Sequence, residues 1–371
     1  MAGIYLHIPF CKQRCCYCDF FSSTGNEKKS LYVEVLCHEI EERKNYLEEK
    51  RLNTIYFGGG TPSLLSAEEF MQIFSTINDC FEIADDAEIT LEANPDDLTE
   101  TYLSQLRPLP FNRVSIGIQS FKDDDLKRLN RRHSSEQAIT AVKRCRENGF
   151  ENISIDLMYG LPGQTEADWR YNIDTAVALN PEHISAYSLT YEEGTKLFKQ
   201  LKSGSIKATD DETGLLFYQT LIDKLEEAGY IHYEISNFAK QGFISRHNSS
   251  YWKNIPYIGV GAAAHSYNGT SRQWNIASIE GYFSGNRLDE VEQLDTDTRY
   301  NDYIITRLRT IWGADMEEIE KTFGLSYRDY FRKKTATYIA NNLLAQDGTT
   351  FRLTRKGLFV SDSIVVEFLK V

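Results

Sequence analysis

No apolar run in these 371 residues approaches the roughly 20 residues that a bilayer-spanning helix needs. The opening Met1-Ala2-Gly3-Ile4-Tyr5 lacks the basic stretch of a secretory signal, so a reduced, cytoplasmic protein is expected. Positive charge is in deficit. With 41 Lys and Arg against 54 Asp and Glu, the net charge of −13 argues against a generic nucleic-acid or anionic-membrane surface. Neither the G-x-G-x-x-G nor the G-K-[ST] phosphate fingerprint occurs, which excludes the Rossmann and P-loop readings. Cysteine is scarce and uneven. Of seven, Cys37, Cys80 and Cys145 are scattered, and with the odd count and no sign of an oxidising compartment this argues against a disulfide framework. These three read as small buried hydrophobes.

What is present is regular. Runs rich in β-branched residues recur at Gly3–Ile8, Thr54–Phe57, Glu88–Glu92, Arg113–Ile118, Ile153–Met158 and His183–Leu189. Stretches of helical periodicity separate them, at Lys29–Asn45, Ala67–Cys80, Ser134–Asn148 and Glu166–Ala178. Strands alternating with helices imply βαβ units and a parallel sheet. Six units fit a partial (β/α)6 barrel as well as an open doubly wound sheet. Either architecture puts its site at the C-terminal strand ends. Polar motifs sit there: Gly58-Gly59-Gly60-Thr61-Pro62, Glu92-Ala93-Asn94-Pro95, Gln119-Ser120-Phe121, the stretch from Asp156 to Gly163, and Thr190. The chain divides into a core at 1–230, a connecting segment at 231–295 rich in aromatics and glycine, and a C-terminal unit at 296–371. In the last, helices at Arg299–Ile311, Met316–Thr322 and Tyr327–Leu344 precede a turn and short strand at Asp347–Thr354. The acidic balance favours its docking on the core or on a partner over binding DNA.

The remaining four cysteines fall within eight residues, in Ile8-Pro9-Phe10-Cys11-Lys12-Gln13-Arg14-Cys15-Cys16-Tyr17-Cys18-Asp19-Phe20. Cys11, Cys15 and Cys18 are spaced C-x3-C-x2-C. Four-iron clusters are normally held by four thiolates, so three would leave one iron open for chemistry. Structural zinc usually draws on two separated Cys pairs, and no second pair exists. Cys16 could be a fourth thiolate, but it directly follows Cys15, and it reads as a non-ligand.

This motif, with Tyr5-Leu6-His7-Ile8-Pro9-Phe10 before it, resembles the radical S-adenosylmethionine (SAM) proteins. With Asp19-Phe20 after it, it looks like the group of the oxygen-independent coproporphyrinogen oxidases and the heme chaperones related to them. The resemblance implies a partial (β/α)6 radical-SAM barrel with a small C-terminal winged-helix-like domain. It also implies a [4Fe-4S] cluster on Cys11, Cys15 and Cys18, whose free iron is chelated by SAM. Residue by residue, Tyr5, Tyr17, Gly59, Gly60, Thr61, Glu92, Gln119, Arg131, Asp156 and Thr190 match positions lining the SAM pocket. Thr190 departs from the pattern, which has a small apolar residue there. Taken singly, Arg131 would read as part of a solvated basic run and Asp156 as a helix cap. A reduced cluster would pass one electron to the SAM sulfonium and generate a 5′-deoxyadenosyl radical.

Two features bear on function. The oxidases carry a further Cys two residues after the last ligand, where this chain has Phe20, and a longer stretch before the cluster. Arg246-His247-Asn248-Ser249-Ser250-Tyr251-Trp252 matches the H-N-x-x-Y-W signature of the chaperone group. The resemblance therefore implies a heme chaperone that delivers heme to acceptor proteins, with a homodimer possible. The alternative is a radical SAM enzyme decarboxylating coproporphyrinogen III; a vestigial scaffold would have lost part of the pocket pattern. Imidazole is a common axial ligand of heme iron. On that ground His247 is the heme-ligand candidate, with Tyr251 and Trp252 stacking on the porphyrin and Arg246 pairing its propionates. Against this, the motif could simply lock a loop. His7, His232 and His265 are the rivals.

Overall fold

The computed structural model describes residues 1–25 and 27–370. Six parallel strands form its centre: β1 (Ala2–Ile8), β2 (Arg51–Gly59), β3 (Glu82–Ala93), β4 (Arg113–Gln119), β5 (Asn152–Tyr159) and β6 (His183–Ser188). The helices between them are α1 (Lys29–Glu42), α2 (Ala67–Cys80), α3 (Glu100–Leu106), α4 (Asp123–Arg128), α5 (Ser135–Glu147) and α6 (Glu166–Leu179). Strand order follows chain order from β1 to β6 without reversal. Right-handed crossovers then place every helix on one face, and the sheet curls into a partial barrel. A doubly wound sheet would reverse at a switch point.

Period-two alternation separates the two faces. Outward strand residues such as Ile4, Leu6, Ile55 and Phe57 share one apolar cluster with Ile73 and Phe74 of α2 and with α1. Val114, Ile116, Ile155, Leu157, Trp169 and Ile173 share a second. Helix starts are fixed by reciprocal capping boxes, Ser66 with Glu69 and Ser134 with Gln137. Inward residues are polar: Tyr56 bonds Glu92, Ser115 bonds Asp156, and Ser154 bonds His183.

Two helices, α7 (Lys196–Lys202) and α8 (Asp211–Glu227), follow the barrel strands. Residues 231–295 then join both edges of the same sheet. On the β6 side lie β7 (Ile231–His232) and β8 (Asn237–Ala239). Helix α9 (Arg246–Trp252) crosses to the other side, where β9 (Tyr257–Val260) runs parallel to β1. There β10 (His265–Tyr267), β11 (Ser271–Asn275), α10 (Ile279–Phe283) and β12 (Leu288–Gln293) complete a 12-stranded sheet.

The C-terminal unit comprises α11 (Thr296–Leu308), β13 (Ala314–Asp315), α12 (Met316–Phe323), α13 (Leu325–Ala340), the hairpin β14 (Leu344–Asp347) and β15 (Thr350–Leu353), α14 (Arg355–Leu358) and α15 (Ser361–Phe368). It has its own core around Tyr300, Ile304, Ile319, Phe331, Phe351 and Phe368. Three helices followed by a hairpin make a winged-helix-like shape. It docks on the barrel through the Tyr218–Phe359 ring contact at 5.8 Å, the Glu234–Thr310 bridge and the Arg355–Asp223 ion pair.

Candidate active site at the barrel mouth

The cluster loop leaves the end of β1 and closes on itself. Cys11 N–H donates to Ser23 O at 2.8 Å, and Ser23 N–H to Pro9 O at 2.6 Å. His7 ties the far end down, its Nε2 lying 2.9 Å from Phe21 O and its Nδ1 3.1 Å from the Tyr5 hydroxyl. Lys12 pairs with buried Asp97 at 2.6 Å, anchoring the loop to the turn after β3.

Three thiols remain half-exposed on this loop, and all are free. Thr61 Oγ1 donates to Cys11 Sγ at 3.4 Å, and Arg131 Nη1 to Cys15 Sγ at 3.3 Å. Cys16 turns the other way. Its thiol donates to Arg128 O at 3.2 Å and packs with Leu129, Leu161 and Leu197. Burial pushes the Cys18 thiol up to about 11 and raises Cys11 too, so a bound metal must supply the charge that ionises them. Among the described residues no three metal-ligating side chains converge as a mononuclear ion requires. The ligands of an iron–sulfur cluster attach to separate irons, so the loop fits that group better than zinc.

The glycine run serves close packing. Gly59 adopts φ +107°, and a Cβ there would meet the His7 ring at 2.6 Å. A Cβ on Gly60 would lie 2.8 Å from the backbone of Pro9 and Phe10. Gly59 N–H donates to Glu92 at 3.2 Å and the Tyr56 hydroxyl to Glu92 at 2.6 Å, which leaves the carboxylate beneath the loop. Burial pushes Glu92 up to about 7, with Asp156 adding to the shift and Tyr56, Gly59 and Arg113 opposing it. Asp156 is likewise raised by burial, to about 6.

Asn94 accepts from Arg131 at 2.5 Å and donates to Thr61 at 3.2 Å, linking the ends of β2 and β3 to the cysteine loop. Gln119 stands in the left-handed region, φ 68°, at an irregularity of the β4–β5 register that re-aims its side chain. Tyr5 lies half-buried against Tyr56, with ring centroids 6.1 Å apart. Tyr17 is near enough to Arg131, Cys15 and Cys18 for their charges to act on it. Thr190 follows β6 and is exposed. The mouth thus assembles nine of the ten SAM-pocket candidates, with Thr190 at its rim.

The H-N-x-x-Y-W motif lies at the opposite end of the barrel. Glu88 accepts from the backbone N–H groups of Arg246 and His247, each at 2.9 Å, and so caps α9. The His247 ring stacks on Tyr56 at 4.8 Å beside Gly3. Its Nδ1 is 2.8 Å from Thr54 Oγ1 and its Nε2 2.8 Å from the Tyr251 hydroxyl. Both ring nitrogens are hydrogen-bonded within the barrel. Arg246 pairs with Asp86, and Trp252 is half-buried on the same helix. From Gly3 to the cluster end is about 16 Å along β1.

Arg113 is the residue that sequence reasoning missed. It is 1% exposed, inside the barrel, and its Nε and Nη1 find no partner among the described residues. Its charge acts on Glu92 and Asp156 above and on His183 and His247 below. The only sequence signal was its inward register in Arg113-Val114-Ser115-Ile116-Gly117.

Cysteine loop, glycine turn and barrel mouth define a radical SAM protein, and the comparisons agree. The model of the radical SAM superfamily matches residues 5–176, and that of the HemN C-terminal domain matches 294–360. The fold superposes on coproporphyrinogen III oxidase (HemN) from Escherichia coli with a TM-score of 0.86 at 25% identity, covering 100% of this chain and 90% of that one. The heme chaperone HemW of Bacillus subtilis is 34% identical, over 100% of this chain and 99% of its own. HemW of Escherichia coli is 32% identical, over 99% and 98%. The chain belongs to the HemW family of radical SAM proteins.

Proposed function

We propose that the protein is a heme chaperone that binds a [4Fe-4S] cluster, SAM and heme and passes heme to acceptor proteins. The full-length match to HemW chaperones carries this reading. Cys11, Cys15 and Cys18 would hold the cluster. Glu92, Asp156, Gln119 and Arg131, with the Gly59–Thr61 turn, would orient SAM, Tyr5 and Tyr17 closing the pocket. The bound cluster would supply the electron that reductively cleaves SAM. Around it, the chain's part is to exclude water, to hold Glu92 against Tyr56 and Gly59, and to set donors against the Cys11 and Cys15 sulfurs.

The overlap with HemN favours one rival, oxidative decarboxylation of coproporphyrinogen III. An anaerobic assay separates the two. Reconstituted protein with about four irons per chain is given reductant, SAM and coproporphyrinogen III. Heme-loaded protein is separately mixed with an apo-hemoprotein. Heme transfer without porphyrinogen turnover is the expected result. Protoporphyrinogen with matching 5′-deoxyadenosine would make the protein an oxidase.

A further inference from the structure

The inward residues of β2 are Thr54, Tyr56 and Gly58, rising in that order from the floor of the barrel to its mouth. Tyr56 is buried midway between the two. Its hydroxyl donates to Glu92 Oε1 at 2.6 Å, while Gly59 N–H donates to Oε2 at 3.2 Å. Each carboxylate oxygen thus has one donor, and among the described residues Tyr56 supplies the one that comes from a side chain. A Cβ on Gly58 would lie 2.9 Å from the Tyr56 ring, 3.0 Å from the Tyr5 ring and 3.1 Å from Glu92 Oε1. The bare backbone of Gly58 is what lets ring and carboxylate meet.

The ring is braced from below. Its centroid lies 4.8 Å from that of His247, with the planes 21° from parallel, and Tyr5 of β1 stands 6.1 Å away. His247 is itself held at both nitrogens, by Thr54 and by the Tyr251 hydroxyl, and the helix that carries it starts on Glu88. A continuous set of contacts therefore runs from α9 through His247 and Tyr56 to Glu92. Packing alone does not call for the Tyr56 hydroxyl, because a phenylalanine would fill the same space with no polar atom to satisfy.

We propose that Tyr56 is a positioning residue of the SAM site: its hydroxyl aims the Glu92 carboxylate, and its ring carries the packing of the H-N-x-x-Y-W motif to that carboxylate. This rests on the reading that Glu92 orients SAM. SAM offers hydroxyl and ammonium donors, and a carboxylate accepts them best when ionised. Burial pushes Glu92 up to about 7, and the Tyr56 bond stands first among the groups that oppose the shift. Removing that bond keeps Glu92 protonated to higher pH. The other groups facing Glu92 are Tyr5 of β1, Arg113 of β4, Asp156 of β5 and Tyr251 of α9, none of which the substitution alters.

The test is anaerobic equilibrium dialysis of SAM against protein with its cluster reconstituted, at a series of pH values on both sides of neutrality. Tyr56→Phe should weaken SAM binding about tenfold at neutral pH and move the rise of affinity with pH upward by about one unit, as loss of a bond to an ionised group requires. In a Glu92→Gln background the same substitution should add little, because the carboxylate it acts on is gone. His247→Ala keeps the hydroxyl but removes the brace of the ring, and should weaken binding by a smaller factor, about threefold. Tyr230→Phe removes a comparably buried hydroxyl bonded to Pro181 O, and should match wild type in affinity and in pH profile. A Tyr56→Phe profile that coincides with wild type, or losses that add in the double variant, overturn the role of the hydroxyl. His247→Ala at wild-type affinity overturns the brace. Wild-type protein with a loaded cluster but no SAM binding would overturn the SAM reading itself, and this inference with it.

Discussion

Single residues at the mouth have opposed duties, and pH separates them. Glu92 is a carboxylic acid whose folded value, about 7, lies above its usual 4.5. A raised acid favours the folded state while protonated, and its burial cost appears as pH climbs toward 7. By linkage that cost is on the order of 3 kcal/mol for Glu92 at pH 8. Glu92→Gln should raise the melting temperature at pH 8 more than at pH 5, while weakening SAM binding at least tenfold. Equal effects at both pH values in anaerobic melts would refute this. Arg113→Met removes the cation that opposes the shift, so its stability should fall more steeply than wild type between pH 5 and 8. The cysteines give a second contrast. Cys18→Ala should abolish bound iron after reconstitution, whereas Cys16→Ala, which removes a thiol packed among leucines, should retain it. Equal iron loss in both would overturn the ligand assignment.

Secondary elements explain what could be read from the sequence. Strands β1 to β6 were legible because their outward faces place Ile, Leu, Val, Phe or Ala at alternate positions. Helix α2 was legible because Ser66 and Glu69 mark its start and Phe81 follows its last turn. The strands within 231–295 were not. They span only two to six residues, so no window holds their period, and the pairings of β8 with β6 and β9 with β1 join segments distant in sequence. The packing of the H-N-x-x-Y-W motif was not legible for a related reason: Thr54, Tyr56 and Glu88, which His247 and the start of α9 meet at the floor of the barrel, lie far off in the chain. Glu88→Ala leaves the buried His247 N–H and the part-buried Arg246 N–H unpaired and should cost about 3 kcal/mol. Iron content after reconstitution should be unaffected, because the floor lies far from the cysteine loop. A melt unchanged from wild type would show that α9 is held by other contacts.

At the scale of the molecule, the seam between barrel and C-terminal unit is titratable. Glu234, 4% exposed, lies where β7 and β8 meet residues 308–311, beside a cavity of about 160 Å³ also lined by Arg309 and Arg352. Burial pushes its carboxyl up to about 7, although Asn237 and nearby backbone N–H groups favour the ion. Docking that covers this carboxyl is therefore easiest while it is protonated, and the advantage is lost as pH rises through 7. Other contacts at the seam do not titrate in this range: the Tyr218–Phe359 rings, the Ile311 N–H donating to Tyr233 O at 3.0 Å, and Lys253 lying 4.1 Å over Trp312. The seam should loosen with pH without opening fully. Hydrogen exchange at 308–311 and 231–235 is expected to be faster at pH 8 than at pH 6, after correction for intrinsic rates. Glu234→Gln should remove that difference while keeping the slow exchange of pH 6. If the variant retains the full pH dependence, another group controls the seam.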